Sequence, residues 1–346
     1  MTTRHPGTAL AQDMAEQPDA LAGLLARRGE IAQALAARRR APLAGVLLVA
    51  RGSSDNAATY GRYVLEAATG RPAALSANSL FTRYGCATDL AGWLVVGISQ
   101  SGATPEIAEV VARTAVLGAF TVALTNEPAS PLAEAADAVV SLGAGVERAV
   151  PATKTYTTTL LALALLAEVL GAAPWPAGTL EGIPDAVAAL LEDRGGLDRA
   201  VAQLGSAGSS VHLGGGYLYC AALESALKMR ETALSPVDGY ADLDFLHGPI
   251  AAVDHRTAAV CHVGTGPTRS DALALIARLT EKGATVVGVG NGLSGLALAP
   301  LALPAFPESL AAIPHAIRGQ QVAVGVALAR GLDPDSPAGL TKVTRT

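Results

Sequence analysis

The sequence predicts an α/β protein made of two related parallel-sheet domains, and three observations carry that prediction. From Gly45 onward, short continuous Val/Leu/Ala runs alternate with amphipathic stretches, as strands covered on both faces by helices require. The order strand, Gly-rich turn, helix, strand, loop, helix, strand occurs before a Pro/Gly-rich break at 171–186 and again after it. The chain has 346 residues, 50% hydrophobic but only 4% aromatic, enough to bury cores built mainly of Ala, Leu and Val.

Residues from about 10 to 40 read as helical, with Leu21, Leu24, Leu25, Ile31 and Leu35 forming an approximate stripe. "GVLLVARGSS" (45–54) is a strand ending in a Gly/Ser turn, and Asp55 to Thr69 follows as a helix. "GWLVVGIS" (92–99) is the second strand, with a helix from Pro105 to about Leu117, and "AFTVALTN" (119–126) is the third. The apolar stretch Thr158 to Ala173 carries Glu168 and is too short for a bilayer, so it reads as a buried core helix. Beyond the break, "SSVHLGGG" (209–216) is a strand ending in glycines, followed by a helix from about Tyr219 to Leu234. "TAAVCHVGTG" (257–266), a helix over 269–282 and "ATVVGVGN" (284–291) complete the second copy.

Composition narrows the function. The formal net charge is −5, and the only basic cluster, Arg38-Arg39-Arg40, reads as a solvated helix end, which argues against nucleic acid as a partner. Cys86, Cys220 and Cys261 are an odd number without C-x-x-C spacing, so neither a disulfide framework nor a zinc site is expected. Together with an N-terminal stretch lacking an apolar core, this points to a reducing cytoplasm and to no membrane association.

The richest local motif is "GISQSGATPE" (97–106), at a strand end and before a helix start. Ligands of open parallel sheets gather at such ends. Pro105 suits the first helical position, Thr104 falls at the N-cap, and Glu106 favours the positive helix end. Exposed amides with the hydroxyls of Ser99, Ser101 and Thr104 can bind a phosphate monoester, and Gly102 permits close approach. The same residues also serve as a capped helix start with serines forming a turn. A neighbouring strand end, "ARGSSDNAA" (50–58), favours the anion by bringing Ser53 and Ser54 to the same edge. The motif is neither a P-loop, since it has no lysine, nor a dinucleotide turn. The corresponding loop of the second copy, "HVGTGPTRSD" (262–271), is poorer in hydroxyls.

In "AALESALKMRETAL" (221–234), Glu224, Lys228 and Glu231 fall at i, i+4 and i+7, on one helix face. Taken alone, that spacing fits a solvated stripe of Glu–Lys pairs better than it fits a site, because charge stripes usually face water.

Strand-end "RGSS", then "ISQSGAT", "TNEPASPLAEAAD" (125–137) and "AGVERAVPATKTYT" (144–157), in this order, resemble the SIS, or sugar isomerase, domain family. The branch is the isomerase half of glucosamine-6-phosphate synthase, and "DMAEQPDAL" (13–21) resembles its E-Q-P helix. The resemblance implies two tandem SIS domains, each a doubly wound, flavodoxin-like parallel sheet flanked by helices. It suggests a helical segment over 1–41, a phosphate-binding SIS domain over 42–172, a linker and helix over 173–200, and a second SIS domain over 201–346 whose C-terminal tail reaches the active site. It implies a hexosamine 6-phosphate substrate, a homodimer and no cofactor or metal. Ser53, Ser54, Ser99, Gln100, Ser101, Thr104 and Val150 are then the phosphate- and sugar-binding residues.

The acid–base stripe resembles the family's "ALEGALKLKE", which makes Glu231 the base, with Lys228 and Glu224 as its supports. "DFLHGPIA" (244–251) resembles "ELKHGPLA", so His247 would reach across the dimer interface to help open the sugar ring. "GLTKVT" (339–344) resembles "NLAKSVT", placing Lys342 at the C1/C2 end of the sugar. The residue types suit aldose–ketose chemistry. A carboxylate in a partly desolvated site can take a weakly acidic C2 proton, an imidazole can shuttle a proton near neutrality, and an ammonium stabilises an enediolate.

Several departures bear on the reaction. No glutaminase domain lies before residue 13, so glutamine-dependent amination by this chain is not expected. The family's Gly-Arg-Gly becomes Gly214-Gly215-Gly216, Asp244 and Leu246 replace a Glu and a Lys, and Ala152 replaces a serine. A glucosamine-6-phosphate deaminase/isomerase is the leading expectation. A dehydratase that expels the 3-hydroxyl of N-acetylglucosamine 6-phosphate is the alternative, because Ala152 and the triple glycine leave room for an acetyl group. A sugar-phosphate sensor would keep the hydroxyl loop without Glu231, His247 and Lys342, all of which are present.

Overall fold

In the computed structural model, which describes residues 5–36 and 42–342, the two copies form two five-stranded, all-parallel sheets. The first contains β1 (Gly45–Val49), β2 (Ala73–Leu75), β3 (Trp93–Ile98), β4 (Phe120–Thr125) and β5 (Ala138–Ser141), in the order β2-β1-β3-β4-β5. The second contains β6 (Ser209–Gly214), β7 (Val237–Tyr240), β8 (Thr257–His262), β9 (Thr285–Val289) and β10 (Ala299–Leu301), in the order β7-β6-β8-β9-β10. Both orders are the doubly wound one, and each reverses between its first and third strands. That reversal opens a crevice at the carboxyl ends of β1 and β3 in one sheet and of β6 and β8 in the other.

The chain divides into two compact units. One comprises the described residues of Asp19–Glu147, Lys154–Glu181 and Thr341–Thr346; the other comprises those of Met1–Pro18, Arg148–Thr153 and Gly182–Leu340.

The expected helix over 10–40 is three shorter ones: α1 (Thr8–Ala15), α2 (Gln17–Ala26) and α3 (Arg28–Ala34). Pro18 explains the first break, because its ring nitrogen cannot continue the hydrogen-bond ladder. The expected end near residue 40 and the cluster Arg38-Arg39-Arg40 lie outside the described residues. In the first unit follow α4 (Ser53–Thr69), α5 (Asn78–Thr82), α6 (Pro105–Val116), α7 (Pro131–Glu134) and α8 (Lys154–Leu170). Val49, Val95 and Ala123 of the sheet pack against Phe81, Ile107, Val111 and Leu132 on one face, while α4 and α8 pair with each other.

The second unit adds α9 (Ile183–Glu192), α10 (Leu197–Ser206), α11 (Tyr219–Ala233), α12 (Asp242–Leu246), α13 (Arg269–Glu281) and α14 (Ala312–Ala329). One face of its sheet packs with Leu197, Met229 and Val322, and the other with Phe245, Leu275 and Ile276, so both faces are covered as the apolar strands require. The same unit holds α1 by its start. The amides of Ala9 and Leu10 donate to the Asp335 carboxylate at 2.9 and 2.8 Å, a cap supplied from the far end of the chain. Among the described residues no helix is long and apolar enough to cross a membrane.

Candidate active site

The hydroxyl loop sits at the β1/β3 crevice. Gly52, with φ of 59° and ψ of −135°, makes the turn after β1 by itself, so the helix begins at Ser53 and not at Asp55. Ser53 and Ser54 therefore open the first turn of α4 rather than forming a turn of their own. After β3, Gly102 has φ of 59°, and a Cβ there would stand 2.0 Å from Ser130 Oγ, so both backbone shape and space demand glycine. The loop is pinned from behind: Asn126 N–H donates to the Gln100 carbonyl at 3.1 Å and Leu132 N–H to the Gly102 carbonyl at 3.0 Å.

Thr104 occupies the N-cap of α6 and Pro105 follows it, yet the Thr104 hydroxyl caps nothing. It lies 3.4 Å from Ser99 Oγ instead. The amides of Gln100, Ser101 and Thr104 have no acceptor among the described residues. Ser101 Oγ accepts from the Ala103 amide at 3.2 Å, as in a serine turn, while the open amides at this helix start are the makings of an anion cradle. Arg51 closes one side: its Nε lies 2.9 Å from Glu106 Oε2, tying the β1 end to the start of α6. Burial pushes the Asp55 carboxyl above its ordinary range, with Arg51 opposing. The sequence marked Glu106 only for the helix end, and its pairing with Arg51, 55 residues away, left no local signal.

The acid–base stripe belongs to α11, in the second unit, and it is not a solvated surface. Lys228 and Glu224 are 2% and 1% exposed, whereas Glu231 keeps 21% of its side chain exposed. Lys228 Nζ lies 3.3 Å from Glu224 and 2.5 Å from Glu231. Burial alone would lower the lysine, but the two flanking carboxylates together hold it above its ordinary range and therefore charged. The result is a carboxylate that reaches solvent, backed by a buried ammonium–carboxylate pair.

The remaining predicted residues are more dispersed. Lys342 falls in the unit that carries the hydroxyl loop, where its Nζ lies 2.7 Å from the buried carboxylate of Glu147. Glu147 also accepts from the Thr155 amide at 3.1 Å and the Thr155 hydroxyl at 2.8 Å, which fixes it rigidly. Val150 falls in the other unit, and its amide donates to the Asp335 carbonyl at 3.0 Å. His247 is exposed just past α12, and its ring makes no hydrogen bond with the described residues.

A model of the SIS domain matches residues 45–169 and again 203–330, the two sheet regions in turn. The chain belongs to the SIS domain family. It is 29% identical over 344 residues to a glutamine–fructose-6-phosphate aminotransferase (isomerizing) of Methanothermobacter thermautotrophicus, covering 98% of this chain and 56% of that protein. The chain thus spans about half the length of the curated relatives it matches. Among solved structures, a candidate phosphosugar isomerase of Silicibacter pomeroyi superposes with a TM-score of 0.85 at 29% identity, covering 95% of this chain and all of that one. A tagatose-6-phosphate ketose/aldose isomerase of Escherichia coli does so with a TM-score of 0.80 at 26% identity, over 98% and 99% of the two chains.

The two SIS domains differ at the crevice. In the second domain polar side chains border the triple glycine. A Cβ on Gly215 would stand 3.0 Å from Asp242 Oδ2, and one on Gly216 would stand 3.0 Å from Thr268 Cγ2. Thr268, at the N-cap of α13 like Thr104 at that of α6, donates its hydroxyl to Glu308. Thr104 of the first SIS domain lies beside Ser99, while this threonine of the second is bound to a carboxylate of its own domain.

Proposed function

We propose that this SIS protein is an enzyme acting on a hexosamine 6-phosphate, with Glu231 as the base that removes the C2 proton of the open-chain sugar. The observation that carries the reading is the unequal burial along α11: the end carboxylate faces solvent while its partners are sealed. A base must meet substrate, and the buried ammonium of Lys228 beside it holds the carboxylate in place through a charge-assisted hydrogen bond. Ser99, Gln100, Ser101 and Thr104, with Ser53 and Ser54, bind the 6-phosphate, and Val150 adds a sugar contact. Binding energy from that inert end supports the chemistry at C1 to C3. Lys342, oriented by Glu147, neutralises charge at the C1/C2 oxygen. His247, exposed and without a hydrogen bond to the described residues, opens the ring of a sugar held by a second copy of the chain.

On glucosamine 6-phosphate, removal of the C2 proton and reprotonation at C1 convert the 2-amine to a 2-imine. Water then adds to the imine and ammonia leaves, giving fructose 6-phosphate. The likeness to an aminotransferase (isomerizing) and a ketose/aldose isomerase supports the shared proton transfer. The test is to incubate the protein with glucosamine 6-phosphate and, separately, its N-acetyl form, following ammonia, ketose and ultraviolet absorbance. Ammonia and ketose from the free amine, abolished by Glu231→Gln, are expected. An absorbing product from the acetylated sugar without ammonia would mean 3-hydroxyl elimination instead, and no turnover of either sugar would sink the enzyme reading.

A further inference from the structure

The crevice of the second SIS domain holds two buried carboxylates without a counter-charge. Asp242, at the start of α12, is 4% exposed, and Glu308, in the turn before α14, is 8% exposed. Asp242 Oδ2 and Glu308 Oε2 have no hydrogen-bond partner, and neither residue forms an ion pair among the described residues. They face each other across the Gly214–Gly216 turn. A Cβ on Gly215 would touch Asp242 Oδ2, and one on Gly266 would collide with Glu308 Oε2.

The groups packed around Asp242 are all neutral or acidic. Asp271 faces it from α13, Glu308 from the turn before α14, and the buried Cys261 thiol from β8. The half-buried Tyr217 hydroxyl faces Glu308. The adjoining Arg269 donates elsewhere, to the carbonyls of Gly264 at 3.0 Å and Asn291 at 3.1 Å. Two ionised carboxylates in such a place are too costly to persist, so one must be neutralised. Burial, with Asp271 and Glu308 nearby, accordingly pushes the Asp242 carboxyl up to about 7.

We propose that Asp242 is a proton-held latch on α12: protonated, it lets the crevice close around the triple glycine, and deprotonated, it loosens α12 and the His247 that follows it. Gly215 bears on this directly, since it stands where the sequence resemblance puts an arginine, and a guanidinium there would enter the same pocket as a counter-charge. In this chain a proton serves instead. Asp242 is on this view a positioning residue for His247. That consequence rests on the proposed ring-opening role, whereas the latch itself does not.

The experiment compares wild type with Asp242→Asn by thermal melting at pH 5.5 and 8.5, the difference between the two proteins cancelling other titrating groups. The variant's advantage in melting temperature should grow by about 5 °C between pH 5.5 and pH 8.5. A gap that does not change with pH overturns the proposal. So does an alkaline loss that potassium or ammonium ions remove at constant ionic strength, which would make the pocket a cation site. Should Asp242→Asn fail to fold, Gly215→Arg provides the same reading. Its backbone is extended, with φ of −98° and ψ of 155°, so a side chain adds no backbone strain; Asp242 Oδ2, 3.0 Å from the Cβ position, shifts slightly to meet the guanidinium, and the alkaline loss should disappear. In turnover assays the alkaline limb of the kcat/KM profile should move to higher pH in Asp242→Asn with KM unchanged. If no sugar phosphate turns over, only the reading of function fails, and the melting comparison still decides the latch.

Discussion

Lys228 Nζ lies 2.5 Å from Glu231 Oε2 and also reaches Glu224, whose carboxylate is 1% exposed. Removing the ammonium strands a buried negative charge, a loss of about 3–5 kcal/mol for a broken buried pair. Lys228→Met is therefore expected to lower the urea unfolding free energy by that amount. Adding Glu224→Gln should recover most of it, because the stranded charge is then gone. Recovery by Glu231→Gln instead would show that the exposed carboxylate, not the buried one, dominates the pair.

Thr104 separates a phosphate cradle from a capped helix. A capping threonine costs about 0.5–2 kcal/mol when lost. Its hydroxyl does not cap α6, so Thr104→Val should change stability by less than about 0.5 kcal/mol. Affinity for inorganic phosphate or glucosamine 6-phosphate, followed by titration calorimetry, should fall roughly tenfold, as expected for one hydrogen bond to a charged group. A large stability loss with unchanged affinity would return the loop to a structural role.

These two sites show where the sequence was legible. The strands β1, β3, β4, β8 and β9 are largely apolar runs visible without any partner, and β6, with Ser209, Ser210 and His212, is legible from the glycines that end it. The edge strands β2, β5, β7 and β10 have three or four residues each, too few to show a pattern, and only pairing defines them. The hydroxyl loop could be read because Ser99 to Pro105 are contiguous, and Glu224, Lys228 and Glu231 because helical spacing aligns them. Their burial could not be read, since a charged stripe looks the same facing water or core. Glu147 with Lys342, Arg51 with Glu106, and Asp242 with Glu308 are pairs far apart in the chain, created by the sheet topology alone.

Glu147 is expected to act through Lys342. The carboxylate, fixed by Thr155, accepts from Lys342 Nζ at 2.7 Å. Glu147→Gln keeps the shape but loses the charge that orients the ammonium. It should lower kcat for the sugar phosphate about tenfold or more with KM little changed, as should Lys342→Met, and the double variant should be no worse than the single ones. Additive losses would separate the two roles.

Acid stability should depend on three histidines inside the second unit. His212, His262 and His315 are all at most 1% exposed, and His262 Nδ1 lies 3.2 Å from His315 Nδ1. Such a contact needs one ring as donor and the other as acceptor, which neutral imidazoles of opposite tautomer supply. Among the described residues both nitrogens of His212 and Nε2 of His262 have no partner, so a proton added there would be buried without compensation. Burial accordingly depresses His262 to about 3 and lowers His212 and His315 as well, the His262 neighbour adding to both. The unfolded chain binds protons at these sites below about pH 6.5, while the folded one does not. Stability is therefore complete above that pH and falls as the pH drops toward 3, by about 2 kcal/mol for His262 alone at pH 5. Asp242 acts with the opposite sign in part of this window, so the measurement belongs in the Asp242→Asn background. Urea unfolding at pH 7 and pH 5 should show the loss, and His262→Gln should reduce it. An unfolding free energy that stays flat between the two would mean that the three rings accept protons in the folded protein.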